Sequence, residues 1–316
     1  MSSRAPTRVL IALALAVVLG SCGGSADKNA TSTTHAAVGP GAGKPPVTIG
    51  TKNFPEAYLL GQLYAQALRA QGFTVSLKTD IGATELIYRA LTSKTLDMYP
   101  DYTGVIGAVI GNLRTNPKSE RDAYRDAQRV VASDGVMLLD PAPFTDRDAI
   151  AVKPALATRF NLQSVEDLAR LPAPVTVGGP PEFRTREQGM VGLESEYGLT
   201  HLRFRPYKIG EQYEQLDKGR IDAADVFTTD GQLSRGGYVV LRDPKGLFGF
   251  QNGVPLVRKD VAEREGQAFV DTINRVSAAL TTMEMRRMNA AMTLAARSPA
   301  GVAEEFLHNH GLLKGA

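Results

Sequence analysis

Apolar and polar positions divide this chain into three parts: a leading apolar run, a polar stretch, and a long body in which strand-like and helix-like periods take turns. Residues 9–19 are apolar throughout. That run is too short for the ~20 apolar residues a helix needs to cross a bilayer. Residues 23–46 are rich in Gly, Ser, Ala, Thr and Pro and hold few large apolar groups, so they read as a flexible linker. The body opens with a β run at residues 47–50. A helical stripe through Leu60, Leu63, Tyr64, Ala67 and Leu68 follows over residues 54–70. Phe73, Val75 and Leu77 alternate as in a strand, and Thr84 can cap a helix whose inner face is Leu86, Ile87, Ala90 and Leu91. Further strand-like runs lie at residues 149–152, 175–178, 222–227, 239–241 and 254–257. Ser164 with Asp167 predicts a capping box. The C-terminal part predicts helices over 267–280 and 283–296, and one that starts at Ser298-Pro299 and stops near Gly311. Met285, Met288 and Met292 share one helix face and read as core packing. Strands alternating with helices imply an α/β protein built around mostly parallel sheet.

Composition makes this reading affordable: 43% of 316 residues are hydrophobic, enough for a full core. Net charge is +3 and falls to +1 without Arg4 and Arg8, which leaves no bulk attraction to nucleic acid. Those two arginines precede the apolar run, as in a signal peptide. The run ends Leu19-Gly20-Ser21-Cys22, at the one cysteine of the chain, so no intrachain disulfide can form. This segment resembles the bacterial lipobox, in which the thiol of the Cys takes a diacylglyceryl group and becomes the new N-terminus. The resemblance implies a signal peptide over 1–21, lipidation at Cys22, and a domain tethered to the outer face of the cell membrane.

Enzyme motifs are missing. The sequence holds no G-x-S-x-G elbow, no H-E-x-x-H, no Walker A loop and no G-x-G-x-x-G after a strand. His35, His201, His308 and His310 are scattered, and the last two suit a helix C-terminus better than a metal. No enzyme activity, cofactor or metal is expected.

Three stretches carry a further resemblance: GTKNFPE at 50–56, DMYPDYTG at 97–104 and DVFTTDG at 225–231, joined by Glu182-Phe183 and Arg186. Together they are similar to the substrate-binding proteins of osmoprotectant ABC importers, which bind glycine betaine, choline, carnitine and relatives. The resemblance runs from residue 47 to the C-terminus. It implies a two-lobed periplasmic-binding-protein fold of type II with a ligand cleft between the lobes. Lobe one would comprise 47–143 plus 247–316, and lobe two 144–246. It also implies a monomer that delivers a small solute to an ABC permease and its ATPase.

A quaternary ammonium has no N–H to donate and is held by aromatic faces, while a carboxylate end needs cations or N–H groups. The resemblance puts the cation after the first strand at Lys52, the first cage tyrosine at Tyr102 and the lobe-two arginine at Arg186. Asp148 takes the place of the second tyrosine in FTDRD, and Asp146 matches an acid of some members. Phe227, followed by Thr228, stands for the third tyrosine, and Gln251, beside Phe250, for the fourth. The ligand site thus comprises Lys52, Tyr102, Asp146, Asp148, Arg186, Phe227, Thr228 and Gln251. Asp148 could attract a cation directly or select a ligand with N–H or O–H donors. Two alternatives stay open: the same fold with a ligand that is not a quaternary amine, and a sensor lipoprotein that feeds no transporter.

Overall fold

The structure is a computed structural model that describes residues 39–113 and 117–313. The signal segment 1–21, Cys22 and His35 lie outside the described residues. Residues 39–46, the end of the expected linker, lie against the body: the Gly41 amide donates to the Gln71 carbonyl at 2.9 Å and Lys44 Nζ to the Arg264 carbonyl at 3.0 Å.

Two five-stranded sheets are formed. The first has the order β2-β1-β3-β10-β4. Its strands are β1 Val47–Gly50, β2 Val75–Lys78, β3 Met98–Tyr102, β4 Val136–Leu138 and β10 Gly253–Arg258. The second has the order β7-β6-β8-β5-β9. Its strands are β5 Asp148–Val152, β6 Val175–Gly179, β7 Leu202–Pro206, β8 Ala223–Phe227 and β9 Val239–Val240. The sheets are mixed rather than mostly parallel. β1 runs parallel to β2 and β3, and β6 parallel to β7 and β8, but β10 is antiparallel to β3 and β4, and β5 to β8 and β9. The antiparallel members are the strands through which the chain enters one sheet and returns to the other. Both arrive from the opposite end and so run against their neighbours. β4 is too short for its period to show, whereas β7 alternates Leu202 and Phe204 with Arg203 and Arg205, a period-two signal that the strand series from sequence omits.

Each sheet has apolar packing on both faces. In lobe one, Val47, Ile49 and Met98 pack on Leu59, Leu63, Phe269, Ile273 and Phe306. The opposite face sets Tyr99, Val254 and Leu256 against Ile87, Leu91 and Val131. Lobe two repeats the plan. Ile150, Val152 and Ala223 face Leu168 and Leu193, and Ala151, Ala224 and Val226 face Tyr213 and Leu216. Helix α1, Pro55–Ala70, uses Pro55 in its first turn and buries the stripe read from sequence. Helix α2, Thr84–Thr92, is capped at Ala83 rather than Thr84 and has no side-chain cap. The Thr84 hydroxyl accepts from Lys52 Nζ at 3.4 Å instead, because an ammonium is the stronger donor in reach. Met285, Met288 and Met292 are buried in the lobe-one core.

The chain crosses between the sheets twice, and the two crossings pair with each other. The Asp146 amide donates to the Gln251 carbonyl at 2.9 Å, the Ala142 amide to the Gly253 carbonyl at 2.8 Å, and Thr145 bridges Asn252. A third link comes from the methionine-bearing helix Thr282–Thr293 of lobe one. Arg286 Nε donates to the Thr228 carbonyl at 3.2 Å and Asn289 Nδ2 to the Thr229 carbonyl at 3.0 Å. Gly231 makes this approach possible, since a Cβ there would lie 2.4 Å from Ala290 Cα and 2.8 Å from the Asn289 carbonyl carbon. Backbone cannot yield as a side chain end can, so Gly231→Ala should cost about 1–3 kcal/mol. The expected result is a melting temperature several degrees lower at unchanged far-ultraviolet circular dichroism. An unchanged melting temperature would show that the helix shifts freely.

Candidate ligand-binding site

β1 pairs with β3 only at Ile49↔Met98. The ladder stops before Pro100, which has no N–H to continue it. Beyond that point the lobe-one strands give way to loops, and these face the ends of β5 and β8 across a cleft. The cleft is lined from lobe one by Lys52, Asn53, Phe54, Thr84 and Tyr102, from the crossings by Asp146 and Gln251, and from lobe two by Asp148, Phe183, Arg186, Gln188 and Phe227. Seven of the eight expected residues therefore share this cleft. Thr228 does not line it. Its hydroxyl donates to the Thr145 carbonyl at 3.0 Å and accepts from the Arg147 amide at 2.9 Å, tying the first crossing to β8.

Lys52 is buried, not solvated. Its Nζ lies 2.6 Å from Asp101 Oδ1, 4.7 Å from the Tyr102 ring centroid and 5.4 Å from that of Phe54. Phe54 and Tyr102 stack with centroids 6.4 Å apart, so the two rings and one carboxylate enclose the ammonium. The Tyr102 hydroxyl donates to Glu56 at 2.7 Å, and Asn289 donates to the other oxygen of the same carboxylate. Burial first, then the neighbouring acids, holds the Tyr102 phenol well above its ordinary value, so it stays a donor.

β8 alternates, so Asp225 and Phe227 share one face. The antiparallel register puts Asp148 opposite Phe227 and Ile150 opposite Asp225. Asp148 and Asp225 are therefore diagonal neighbours on that face. Asp225 is fully buried, and neither of its carboxyl oxygens has a hydrogen-bond partner among the described residues. Burial, followed by the Asp148 charge, pushes Asp225 far up. Burial pushes Asp148 up to about 6, against the pull of Arg186. Burial likewise takes Asp230, bonded by the Tyr213 hydroxyl and the Phe227 amide, to about 6. Asp146 takes the Thr229 hydroxyl at 2.6 Å and rises well above its usual value, through burial and then the Glu56 charge.

Two contacts bridge the lobes at the cleft. Arg186 Nη2 approaches Glu85 of α2 at 3.8 Å, and Gln251 Nε2 donates to Gln188 at 3.2 Å while its Oε1 accepts from the Val105 amide at 2.9 Å. Arg186 thus pairs with the opposite lobe rather than with its sequence neighbour Glu187. Gln251 serves as a backbone clamp where the family pattern has a ring.

Sequence reasoning missed Phe54 and Gln188 on the wall, and Glu56, Asp225 and Asn289 behind it. Phe54, Glu56 and Asp225 sit inside the quoted motifs. Asn289 has no local signal, because its partner Glu56 is 233 positions away. Asp230-Gly231, read from sequence as a turn, holds the buried acid of the β8 end and the close approach of the methionine-bearing helix.

Residues 45–309 match the OpuAC family, described as the substrate binding domain of ABC-type glycine betaine transport system. The chain belongs to the OpuAC family. A glycine-betaine-binding protein of Pseudomonas aeruginosa is 31% identical over 276 residues, covering 84% of this chain and 88% of that protein. An ergothioneine transport permease/ergothioneine binding protein of Helicobacter pylori is 25% identical over 270 residues; the match covers 84% of this chain and 48% of that longer relative. The solved structure of a glycine betaine/carnitine/choline ABC transporter protein superposes with a TM-score of 0.69 at 24% identity, covering 85% of this chain and all (100%) of the other. The fold is accordingly the two-lobed type II binding-protein fold. As an OpuAC protein the chain is the substrate-binding part of an ABC-type transport system. Among the described residues, no helix is long and apolar enough to cross a membrane.

Two outcomes follow from the buried charges. Lys52→Met strands Asp101 without its cation and should cost about 3–5 kcal/mol in urea unfolding, and adding Asp101→Asn should recover much of it. If the single variant is as stable as the parent, the pair has no structural role. The raised acids bind protons in the folded chain over a window, from about 4 to about 6, where unfolded carboxyls have already lost them. Their contribution to stability is full below about 4 and is lost as pH rises through about 6. The ligand-free protein should therefore melt higher at pH 5 than at pH 7, and Asp148→Asn should flatten that slope. A melting temperature that rises from pH 5 to pH 7 would refute the assignment.

Proposed function

We propose that this protein captures a small cationic or zwitterionic solute of the glycine betaine, choline and carnitine class in the cleft between its lobes and delivers it to an ABC permease and its ATPase. One observation carries the reading: a cleft in an OpuAC protein that combines aromatic walls, Phe54, Tyr102, Phe183 and Phe227, with the guanidinium of Arg186 and the carboxyl of Asp148. The rings and Asp148 suit a cationic head, and Arg186 suits a carboxylate end. Closure of the lobes about the paired crossings would enclose the solute. Asp146 and Gln251 hold the crossing side of the site, with Lys52 in its wall and Thr228 fixing the strand end. The name of the Helicobacter pylori relative favours ergothioneine as a second candidate, a betaine that also carries ring N–H donors. Cys22 is the proposed lipid attachment point, leaving a monomeric domain at the outer face of the cell membrane with residues 23–38 as spacer.

Thermal-shift measurement against glycine betaine, choline, carnitine, proline betaine and ergothioneine tests this. A bound solute at 100 times its dissociation constant should add about 2.7 kcal/mol of stability. The shift should vanish in Tyr102→Ala and persist in Tyr207→Ala, whose ring lies outside the cleft lining. No shift with any of the five, nor with N,N-dimethylglycine, overturns the reading. Cys22→Ala should release the protein from the membrane fraction, and retention there would overturn the anchor.

A further inference from the structure

Resting on the solute-binding reading above, we infer that Asp148, backed by Asp225, sets the specificity of the cleft and selects solutes whose cationic nitrogen keeps an N–H. Asp148 lines the cleft at the end of β5, opposite Phe227 and diagonal to Asp225 on the same sheet face. Asp225 is fully buried, and among the described residues no amide, hydroxyl or ammonium group donates to either of its oxygens. The sheet register sets the Asp148 carboxyl beside it, so Asp225 has a second acid as its neighbour in place of a proper donor.

Of the two cations that act on Asp148, Lys52 is committed elsewhere and Arg186 has only a long contact across the cleft. Lys52 is held by Asp101 at 2.6 Å, and Arg186 leans toward Glu85 at 3.8 Å. Both attract Asp148 through space, but neither forms an ion pair with it. Asp148 thus presents a half-buried acceptor to the cleft, with the buried acid Asp225 beside it.

The aromatic side of the cleft points the same way. A quaternary ammonium needs free ring faces, and of the four rings on the wall only Phe183 and Phe227 are left to it, because Phe54 and Tyr102 already carry the Lys52 ammonium, at 5.4 Å and 4.7 Å. A second cation over these rings would meet like charge. Displaced toward Asp148, a fully methylated nitrogen would set carbon against the carboxylate and leave its lone pairs unpaired. A nitrogen with one N–H would donate into that position and keep its charge beside the acid. Sites built to accept from a substrate N–H discriminate strongly against the analogue that lacks it, because the buried acceptor is then stranded.

N,N-Dimethylglycine and glycine betaine differ by one methyl on nitrogen and are both zwitterions at neutral pH. Isothermal titration of the purified protein should give dimethylglycine the tighter binding, by on the order of tenfold or more. Dimethylethanolamine should exceed choline in the same sense. Asp148→Asn should remove the preference chiefly by weakening dimethylglycine, with glycine betaine little changed. Equal affinities, or tighter glycine betaine, overturn this inference and leave the solute-binding reading standing. Failure of all four solutes to bind overturns both. A preference that survives in folded Asp148→Asn overturns the role of Asp148, and the wild-type ratio decides the ligand class should that variant not fold.

Discussion

A charge removed from water must find a partner or give up its ionisation. Around this cleft both answers are used, a few ångströms apart. Lys52 has its partners in place, with Asp101 at 2.6 Å and two ring faces closing over it. Asp148, Asp225, Asp146 and Glu56 lack such cations and are pushed toward their protonated forms. The rest of the site follows from this division. Tyr102 donates to Glu56, Thr229 to Asp146, and Asn289 spans Glu56 and the Thr229 carbonyl. Each is a neutral donor set against an acid that has no cation of its own. These bonds join α1, β3, the first crossing, the β8 end and the methionine-bearing helix, so the electrostatic solution for the cleft also joins the two lobes.

Much of this was legible in the sequence, because local periods are set by local geometry. Leu60, Leu63, Tyr64, Ala67 and Leu68 recur at helical spacing and are buried in α1. The alternation in β8 places Asp225 and Phe227 on one face without any structure at hand. What sequence could not supply was the partner across space. That Asp148 meets Asp225 depends on an antiparallel register between strands 75 positions apart in the chain, as Ile150↔Asp225 shows. Gln251 stood where a ring was expected, and only the fold shows it clamping the Val105 amide. Thr84 looked like a cap and serves the lysine instead. Mixed strand direction was hidden too, since periodicity carries no sign of which way a strand runs.

Family membership sharpens what is unusual here. Within the residues that match the family, Asp148 and Gln251 stand at positions where the resemblance implies ring faces. Neither substitution reads as damage. Asp148 has a buried acid placed behind it by the sheet register, and Gln251 uses both ends of its amide, to Val105 and to Gln188. Gln251 is hydrogen-bonded into its surroundings, as a buried polar group must be to persist, while Asp148 turns its carboxyl to the cleft.

The placing of β10 has a consequence for how the molecule is made. It lies between β3 and β4, yet it is the last strand in the chain, and the helices Gln267–Ala279, Thr282–Thr293 and Pro299–Asn309 that cover the same lobe come later still. A ribosome delivers the chain from its N-terminus. Lobe two is one continuous segment and can close its sheet as soon as β9 emerges, whereas lobe one must wait with a gap at its centre. The half that starts first is finished last, and during that wait β3 and β4 expose unpaired edges to the solvent.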